Sequence, residues 1–165
     1  MTNNPLLQQV LVAIENNSQK DALAFVNQIV DFMINNENGR VFEGWPRETL
    51  VQLTAYHLAK GTLIYAVKDG KLDGVLMWYK CNEAQQDDFL QNWMPDNPNG
   101  DSIFLAVLFA NSKGSFRKLA IDVIAMEPDI LTKKLLGLRC KRGAKFGEKV
   151  KYDLRLFNKI LKFKD

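Results

Sequence analysis

The sequence predicts a single α/β domain built on a mixed β-sheet with helices on its faces. Three observations lead to this prediction. An apolar run from Ile103 to Ala110 has the length of one buried central strand. Asp69-Gly70 lies between two strand-like segments and is a strong hairpin signal. Segments with helical periodicity come before and after these strands, so helices are expected to cover the sheet.

Composition limits the classes of protein to which this chain can belong. It has 165 residues, 47% of them apolar, enough for one core. Two cysteines and one histidine are too few for a disulfide framework or a metal site. The longest apolar run is far shorter than the roughly 20 residues of a membrane-spanning helix, and no signal-peptide pattern is present. We expect one domain over residues 1–165, in the cytoplasm, without a metal or a membrane span.

Charge is distributed unevenly along the chain. The net charge is +3, but residues 132–165 hold twelve Lys or Arg against three acids, whereas residues 1–131 hold ten against sixteen. Such a basic stretch is typical of a surface that binds an anionic partner. It is also typical of lysines that protect an edge hairpin from pairing with another chain. Nucleic acid bound through Lys133 to Lys162 is therefore one expectation, and a solvated edge is the other.

Three helices are predicted in the N-terminal part, residues 1–39 holding the first two. Pro5 to Ile14 has apolar residues at helical spacing. Ser18 is a suitable N-cap for a stronger helix, which Asn35 to Gly39 ends. Pro46 is well placed at the start of the third helix and Gly61 at its end. His57 lies on the apolar face of this helix, which favours a buried structural histidine and leaves a catalytic base as the alternative.

A hairpin and a long connector follow. Thr62 to Val67 and Lys71 to Lys80 are the two strands, joined across Asp69-Gly70. Gly74 inside the second strand indicates a bulge or a close approach of two backbones. The segment Cys81 to Gly100 is then a connector.

The C-terminal part begins with the central strand and ends in a basic segment. After that strand, a helix pattern begins at Phe116 or Arg117 and ends at Glu127-Pro128-Asp129. Two strands are predicted next, Thr132 to Lys141 and Lys149 to Leu154, and then a short basic helix from Arg155 to Lys164.

The turn after the central strand is a candidate anion site. Its residues are Asn111, Ser112, Lys113, Gly114, Ser115, Phe116 and Arg117. A buried strand that leads through small residues into a helix N-terminus directs several backbone N–H groups at one point, which suits a pyrophosphate. A plain strand-to-helix turn with surface cations is the alternative.

Four segments share their order and spacing with those of a known family. They are Trp45-Pro46 before the strand Gly61 to Tyr65, Asp69 to Trp78 across the hairpin, Gly100-Asp101 leading to Asn111 to Arg117, and Pro128 to Ile130 before Gly137 to Gly143 and the strand Lys149 to Leu154. In these segments the chain resembles the RTX-toxin-activating acyltransferases, a branch of the GNAT superfamily, and GNAT-like proteins of bacteriophages. The resemblance covers residues 40–160.

The resemblance implies a GNAT-like mixed sheet flanked by helices and an acyl thioester as the donor. This donor is acyl-CoA or an acyl carrier protein, held at Asn111 to Arg117, and the acceptor is an amine on a protein or a small molecule. The turn is a degenerate form of the GNAT loop, because Ser112 to Arg117 keeps one glycine and two cations.

Two departures from the family concern catalysis. The active toxin acyltransferases carry a histidine three residues before the Trp-Pro pair and an aspartate in the central strand; the matching residues here are Phe42 and Val107. Neither side chain can accept or orient a proton. Glu43 and Asp101 are the carboxylates nearest to these places in the sequence and are candidate catalytic replacements, with a loop carboxylate or a cap as the alternative for each.

Two classes of function therefore remain open, beside the nucleic-acid binding considered above. One is an N-acyltransferase that uses a thioester donor. The other is an inactive, phage-type GNAT-like module that binds a protein or a nucleic acid.

Overall fold

A five-stranded mixed sheet forms the centre of the molecule. The computed structural model describes residues 19–35, 42, 45–83, 97–139 and 148–152. The strands lie side by side in chain order: β1 (Leu63–Lys68), β2 (Lys71–Cys81), β3 (Ser102–Ala110), β4 (Lys134–Arg139) and β5 (Glu148–Tyr152). Only the β3–β4 pair of this sheet is parallel, and the other neighbours are antiparallel. This arrangement confirms the predicted fold class, a mixed sheet flanked by helices.

Within the described ranges, three α-helices cover the two faces of the sheet. They are α1 (Gln19–Asn35), α2 (Arg47–Lys60) and α3 (Lys113–Met126), and a short 3-10 helix (Pro128–Leu131) follows α3. Helices α1 and α2 share one buried cluster with β1, β2 and β3, whereas α3 shares the cluster on the opposite face. Helix α3 also connects β3 to β4, because two parallel strands need a crossover of this kind.

Helices α1 and α2 begin and end close to where the sequence predicts. Five apolar side chains of α1 are buried: Phe25, Val26, Ile29, Val30 and Met33. Arg47 at the start of α2 binds Asp31 at 2.7 Å and Asn27 at 2.9 Å, so it fixes α1 against α2. Pro46 precedes the first turn of α2, and Gly61 ends the helix in the left-handed conformation (φ 72°).

The β1–β2 hairpin turns at the predicted residues. Asp69 and Gly70 both have positive φ, 53° and 75°, as a type I′ turn requires. Farther along β2, the register changes from Ala66↔Gly74 to Val67↔Leu72 and so leaves Asp73 without a partner in β1. The predicted bulge is therefore real, and its extra residue is Asp73.

Gly74, next to this bulge, also makes the predicted close approach. A Cβ atom there would lie 3.0 Å from Leu119 of α3 and 3.1 Å from the carbonyl oxygen of Phe109. Helix α3 therefore packs directly on the backbone of β2. The connector has a tighter point at Gly100, where a Cβ would clash with the backbone of Cys81.

Two predicted element boundaries are wrong. Helix α3 begins at Lys113 and not at Phe116 or Arg117, because Ser112 caps it. Strand β4 begins at Lys134 and not at Thr132, because the 3-10 helix ends with Thr132 as its cap; the predicted end at Lys141 lies outside the described residues. Some predictions fall outside the described residues: the helix Pro5 to Ile14, the Ser18 cap, much of the connector and the basic helix Arg155 to Lys164.

None of the helices in the described ranges has the length and apolar character needed to cross a membrane.

Candidate functional site

The register pairs between the two parallel strands of the sheet end part of the way along β3. Register pairs join β3 to β4 from Ser102↔Lys134 to Leu105↔Gly137. β3 continues to Ala110, with no further register partner in β4 among the described residues. Ala106, which follows the last pair, is also the residue that the β2–β3 register skips. The region beyond the last register pair, bounded by Leu105–Ala110 and Gly137, is here called the β3–β4 wedge.

The face of the sheet beside this wedge is apolar at both positions where the resemblance would place a histidine and an aspartate. Phe42 is half-buried, and its ring centroid lies 5.7 Å from that of Phe109 and 5.5 Å from that of Trp45. Val107 is buried in the same cluster of apolar residues. The structure thus places the two positions on one face, where neither side chain can transfer a proton.

Asp73 lies at the N-terminus of α3, in the turn that the sequence predicts to bind an anion. Its Oδ2 atom accepts hydrogen bonds from the hydroxyl groups of Ser112 at 2.6 Å and Ser115 at 2.5 Å. Its carbonyl oxygen accepts one from the Asn111 N–H at 2.8 Å. Three residues of the predicted anion-binding turn therefore donate to Asp73.

The same turn uses further N–H groups to form its helix cap. Ser112 Oγ accepts from the Ser115 N–H at 3.2 Å, and the Ser112 carbonyl accepts from the Phe116 N–H at 3.1 Å. Phe116 packs against the core, Gly114 is half-buried, and Lys113 and Arg117 are exposed. The turn is thus a capped helix start with exposed cations beside it.

A diphosphate fits this turn poorly. A helix N-terminus is equivalent to about half a positive charge, and the Asp73 carboxylate brings a full negative charge to it. A diphosphate at the turn would therefore face a carboxylate within hydrogen-bond distance of the first helical turn. Binding of a thioester cofactor by Asn111 to Arg117 stays a prediction, and the geometry of the turn counts against it.

Asp101 connects the end of one strand with the starts of two others. Its Oδ1 atom accepts from the Glu83 N–H at 3.0 Å and from the Ser102 hydroxyl at 2.6 Å. Its own N–H donates to Asn82 Oδ1, and its carbonyl accepts from the Lys134 N–H. Asp101 thereby fixes the end of β2 and the starts of β3 and β4, which is a structural task.

Asp101 and the turn from Asn111 to Arg117 lie at opposite ends of β3. Asp101 precedes β3 and Asn111 follows it, so roughly 30 Å of strand separates them at about 3.3 Å per residue.

The Lys134 ammonium binds Glu83 at 2.8 Å and lies 3.8 Å from Asp101. The hydrogen bond to Glu83, then the charges of Glu83 and Asp101, raise the pKa of Lys134. Glu43 lies outside the described residues.

His57 is a buried structural residue, as its place on the apolar face of α2 predicts. Its Nδ1 atom lies 2.7 Å from Thr62 Oγ1, and its ring meets the ring of Tyr79 edge-on at 4.5 Å between centroids. Burial, followed by the charge of Lys60, lowers the pKa of His57 to about 3. A histidine with this pKa stays neutral near pH 7 and exchanges no proton there.

Sequence reasoning missed Asp73. Its signal was present, because Gly74 indicates a bulge and a bulge changes the direction of the neighbouring side chains. Asp73 nevertheless lies 39 residues before Ser112, and no local pattern connects the two.

Among the residues with a described position, no three His, Cys, Asp or Glu side chains are grouped closely enough to hold a metal ion.

Comparisons with known proteins add little to this description. No family model matches the sequence, and no curated protein matches it. A similar solved structure is described as a "putative acetyltransferase" from Staphylococcus aureus Mu50. It is 18% identical with a TM-score of 0.38, and the match covers 64% of this chain and 70% of that one. This likeness is too low to carry an argument about function.

Proposed function

We propose that this chain is a GNAT-type protein that binds an acyl thioester in the β3–β4 wedge and passes the acyl group to an amine. The observation that carries the proposal is the end of the β3–β4 register pairs at Leu105↔Gly137, immediately before Ala106, which the β2–β3 register skips. A wedge walled by main chain can take up an extended pantetheine arm in the way that a sheet edge takes up a peptide. The resemblance of residues 40–160 to GNAT-like acyltransferases supports the same conclusion.

The chemistry requires little from the side chains. The amine nitrogen attacks the thioester carbon, so that a C–N bond forms and the C–S bond breaks. The proton that leaves the nitrogen ends on the departing sulfur, directly or through water. Positioning of donor and acceptor supplies most of such a rate enhancement, so apolar residues at Phe42 and Val107 are compatible with slow transfer. We therefore assign no catalytic side chain.

Calorimetry with S-acetylpantetheine and acetyl-CoA tests the proposal. We expect both donors to bind the full chain with micromolar dissociation constants. The half-buried Ala106 lies in the wall of the wedge. Ala106→Leu would place three extra carbon atoms there, and we expect it to weaken binding by tenfold or more. Release of free thiol in the presence of a lysine-containing peptide would then measure transfer.

Ala125→Leu is the matched control, because Ala125 is exposed on α3, on the other face of the sheet. It should bind the donors as the unaltered chain does, and both variants should keep the circular dichroism spectrum of the unaltered chain. Absence of binding at millimolar donor would contradict the proposal. Equal binding of the donors by the two variants would show that the donors bind outside the wedge.

A second function, binding of a protein without catalysis, is favoured by one feature. The edge-on contacts of Phe42 with Trp45 and Phe109 form an apolar cluster that reaches the surface, where Trp45 is 38% exposed. Exposed tryptophan is enriched in protein interfaces. The calorimetric experiment distinguishes the two functions, because a module that only binds a protein needs to bind no thioester.

A further inference from the structure

Asp73 is positioned by two independent features of the fold. The bulge in β2 leaves it without a partner in β1, so its main chain and side chain are available to another element. The close packing of α3 on Gly74 then brings the first turn of that helix beside the bulge. The residue is therefore held at the N-terminus of α3 by the sheet.

The contacts of Asp73 are those that an anion makes in this kind of turn. Its carboxylate accepts from two hydroxyl groups, those of Ser112 and Ser115, and its carbonyl accepts from a main-chain N–H. Hydrogen bonds to a carboxylate are short and strong, and Ser115 is buried. A ligand phosphate would have to displace these bonds while approaching a like charge.

We infer that the Asp73 carboxylate takes the place of a ligand phosphate at the N-terminus of α3 and excludes a diphosphate from it. The consequence of this inference rests on the proposed function. The protein recognises a thioester donor through its pantetheine arm, and the diphosphate of coenzyme A adds no affinity. The sequence predicts a turn that binds an anionic ligand. In the structure, the carboxylate of one bulge residue of the hairpin occupies this place instead.

The experiment compares two donors on three proteins. The unaltered chain should bind acetyl-CoA and S-acetylpantetheine with dissociation constants within about twofold of each other. Asp73→Asn keeps a side-chain oxygen for the serine hydroxyls and removes the charge. It should bind acetyl-CoA about tenfold more tightly, the order expected from losing one like charge near the surface, with S-acetylpantetheine unchanged.

Asp69→Asn is the matched control. It removes the same charge from the tip of the same hairpin, and asparagine tolerates the positive φ of that position. It should leave both dissociation constants as they are. A preference of tenfold or more for acetyl-CoA in the unaltered chain would overturn the inference, as would an Asp73→Asn variant without any gain. The first of these measurements needs no variant and stands even if Asp73→Asn fails to fold.

A different binding result would contradict the proposed function. If the unaltered chain bound neither donor, the proposed function would be lost, and inorganic pyrophosphate would then test Asp73 alone. Ten millimolar pyrophosphate should raise the midpoint of thermal unfolding of Asp73→Asn more than that of the unaltered chain or Asp69→Asn. An equal response of all three proteins would overturn the inference about Asp73.

Discussion

His57 shows how a single buried residue can mislead a search for catalytic groups. It is the one histidine of the sequence, and a catalytic base is the alternative that the sequence leaves open for it. The structure gives it a different role. Nδ1 is bound to Thr62, the ring packs on Tyr79, and burial keeps the imidazole neutral. Its contribution is therefore to stability, and that contribution depends on pH.

We expect the free energy of unfolding to fall as the pH is lowered below about 6.5. The pKa of His57 is about 3 in the folded chain and about 6.5 when unfolded. Between these values only the unfolded chain binds the proton, so acid favours unfolding. The slope approaches about 1.4 kcal/mol per pH unit, and because the unfolded histidine is only half protonated at pH 6.5, the loss from pH 6.5 to 5 is about 1.7 kcal/mol. Urea unfolding at several pH values measures it.

His57→Gln is the variant that isolates this effect. It removes the titrating group, so its stability should change much less between pH 6.5 and 5, whatever its stability at pH 7. The carboxylates, which titrate mainly below pH 5, are common to both proteins. The same loss in both proteins would show that His57 is not the group responsible.

The start of α3 shows at the scale of one element why boundaries are harder to predict than elements. Apolar periodicity begins at Phe116, because Lys113, Gly114 and Ser115 supply no large apolar side chain. The helix nevertheless begins at Lys113, since Ser112 caps it. Asp73 completes the cap from another strand. The existence of the helix was thus predictable from local sequence, whereas its first turn depends on a tertiary contact.

We expect Ser112→Ala to destabilise the protein by about 1 to 2 kcal/mol. This is the usual cost of losing a serine N-cap, and Asp73 would also lose one of its two hydroxyl donors. Ser112→Thr keeps the hydroxyl and is the matched control, with an expected loss of less than 1 kcal/mol. Chemical denaturation measures both. Equal stability of the two variants would mean that the Ser112 hydroxyl contributes nothing to the start of α3.

At the scale of the whole molecule, the sequence predicts the architecture better than it predicts the site. The hairpin at Asp69-Gly70, the end of α2 at Gly61 and the buried strand β3 all follow from short-range rules. The β3–β4 wedge does not, because it depends on where two distant strands stop pairing. The contact of Asp73 with α3 is equally non-local. The proposed function rests on these long-range contacts, so its geometry could not be predicted from local sequence.

The core on one face of the sheet includes residues that lie outside the family resemblance. The resemblance begins at residue 40, yet α1 closes the core on the α1–α2 face. Its five buried apolar side chains are at most 6% exposed. At about 1.5 to 3 kcal/mol for each side chain, their burial amounts to roughly 10 kcal/mol, comparable with the total stability of a domain.

We therefore expect a chain that lacks residues 1–40 to lose cooperative unfolding and to bind a hydrophobic dye such as ANS. In the full chain, Ile29→Ala on the buried face of α1 should cost about 2 to 5 kcal/mol. Gln28→Ala is its control, because Gln28 is exposed on the same helix and should change stability by less than about 0.5 kcal/mol. Cooperative unfolding of the shortened chain at the full-length midpoint would make α1 an accessory element. It would also restrict the domain to the region of family resemblance.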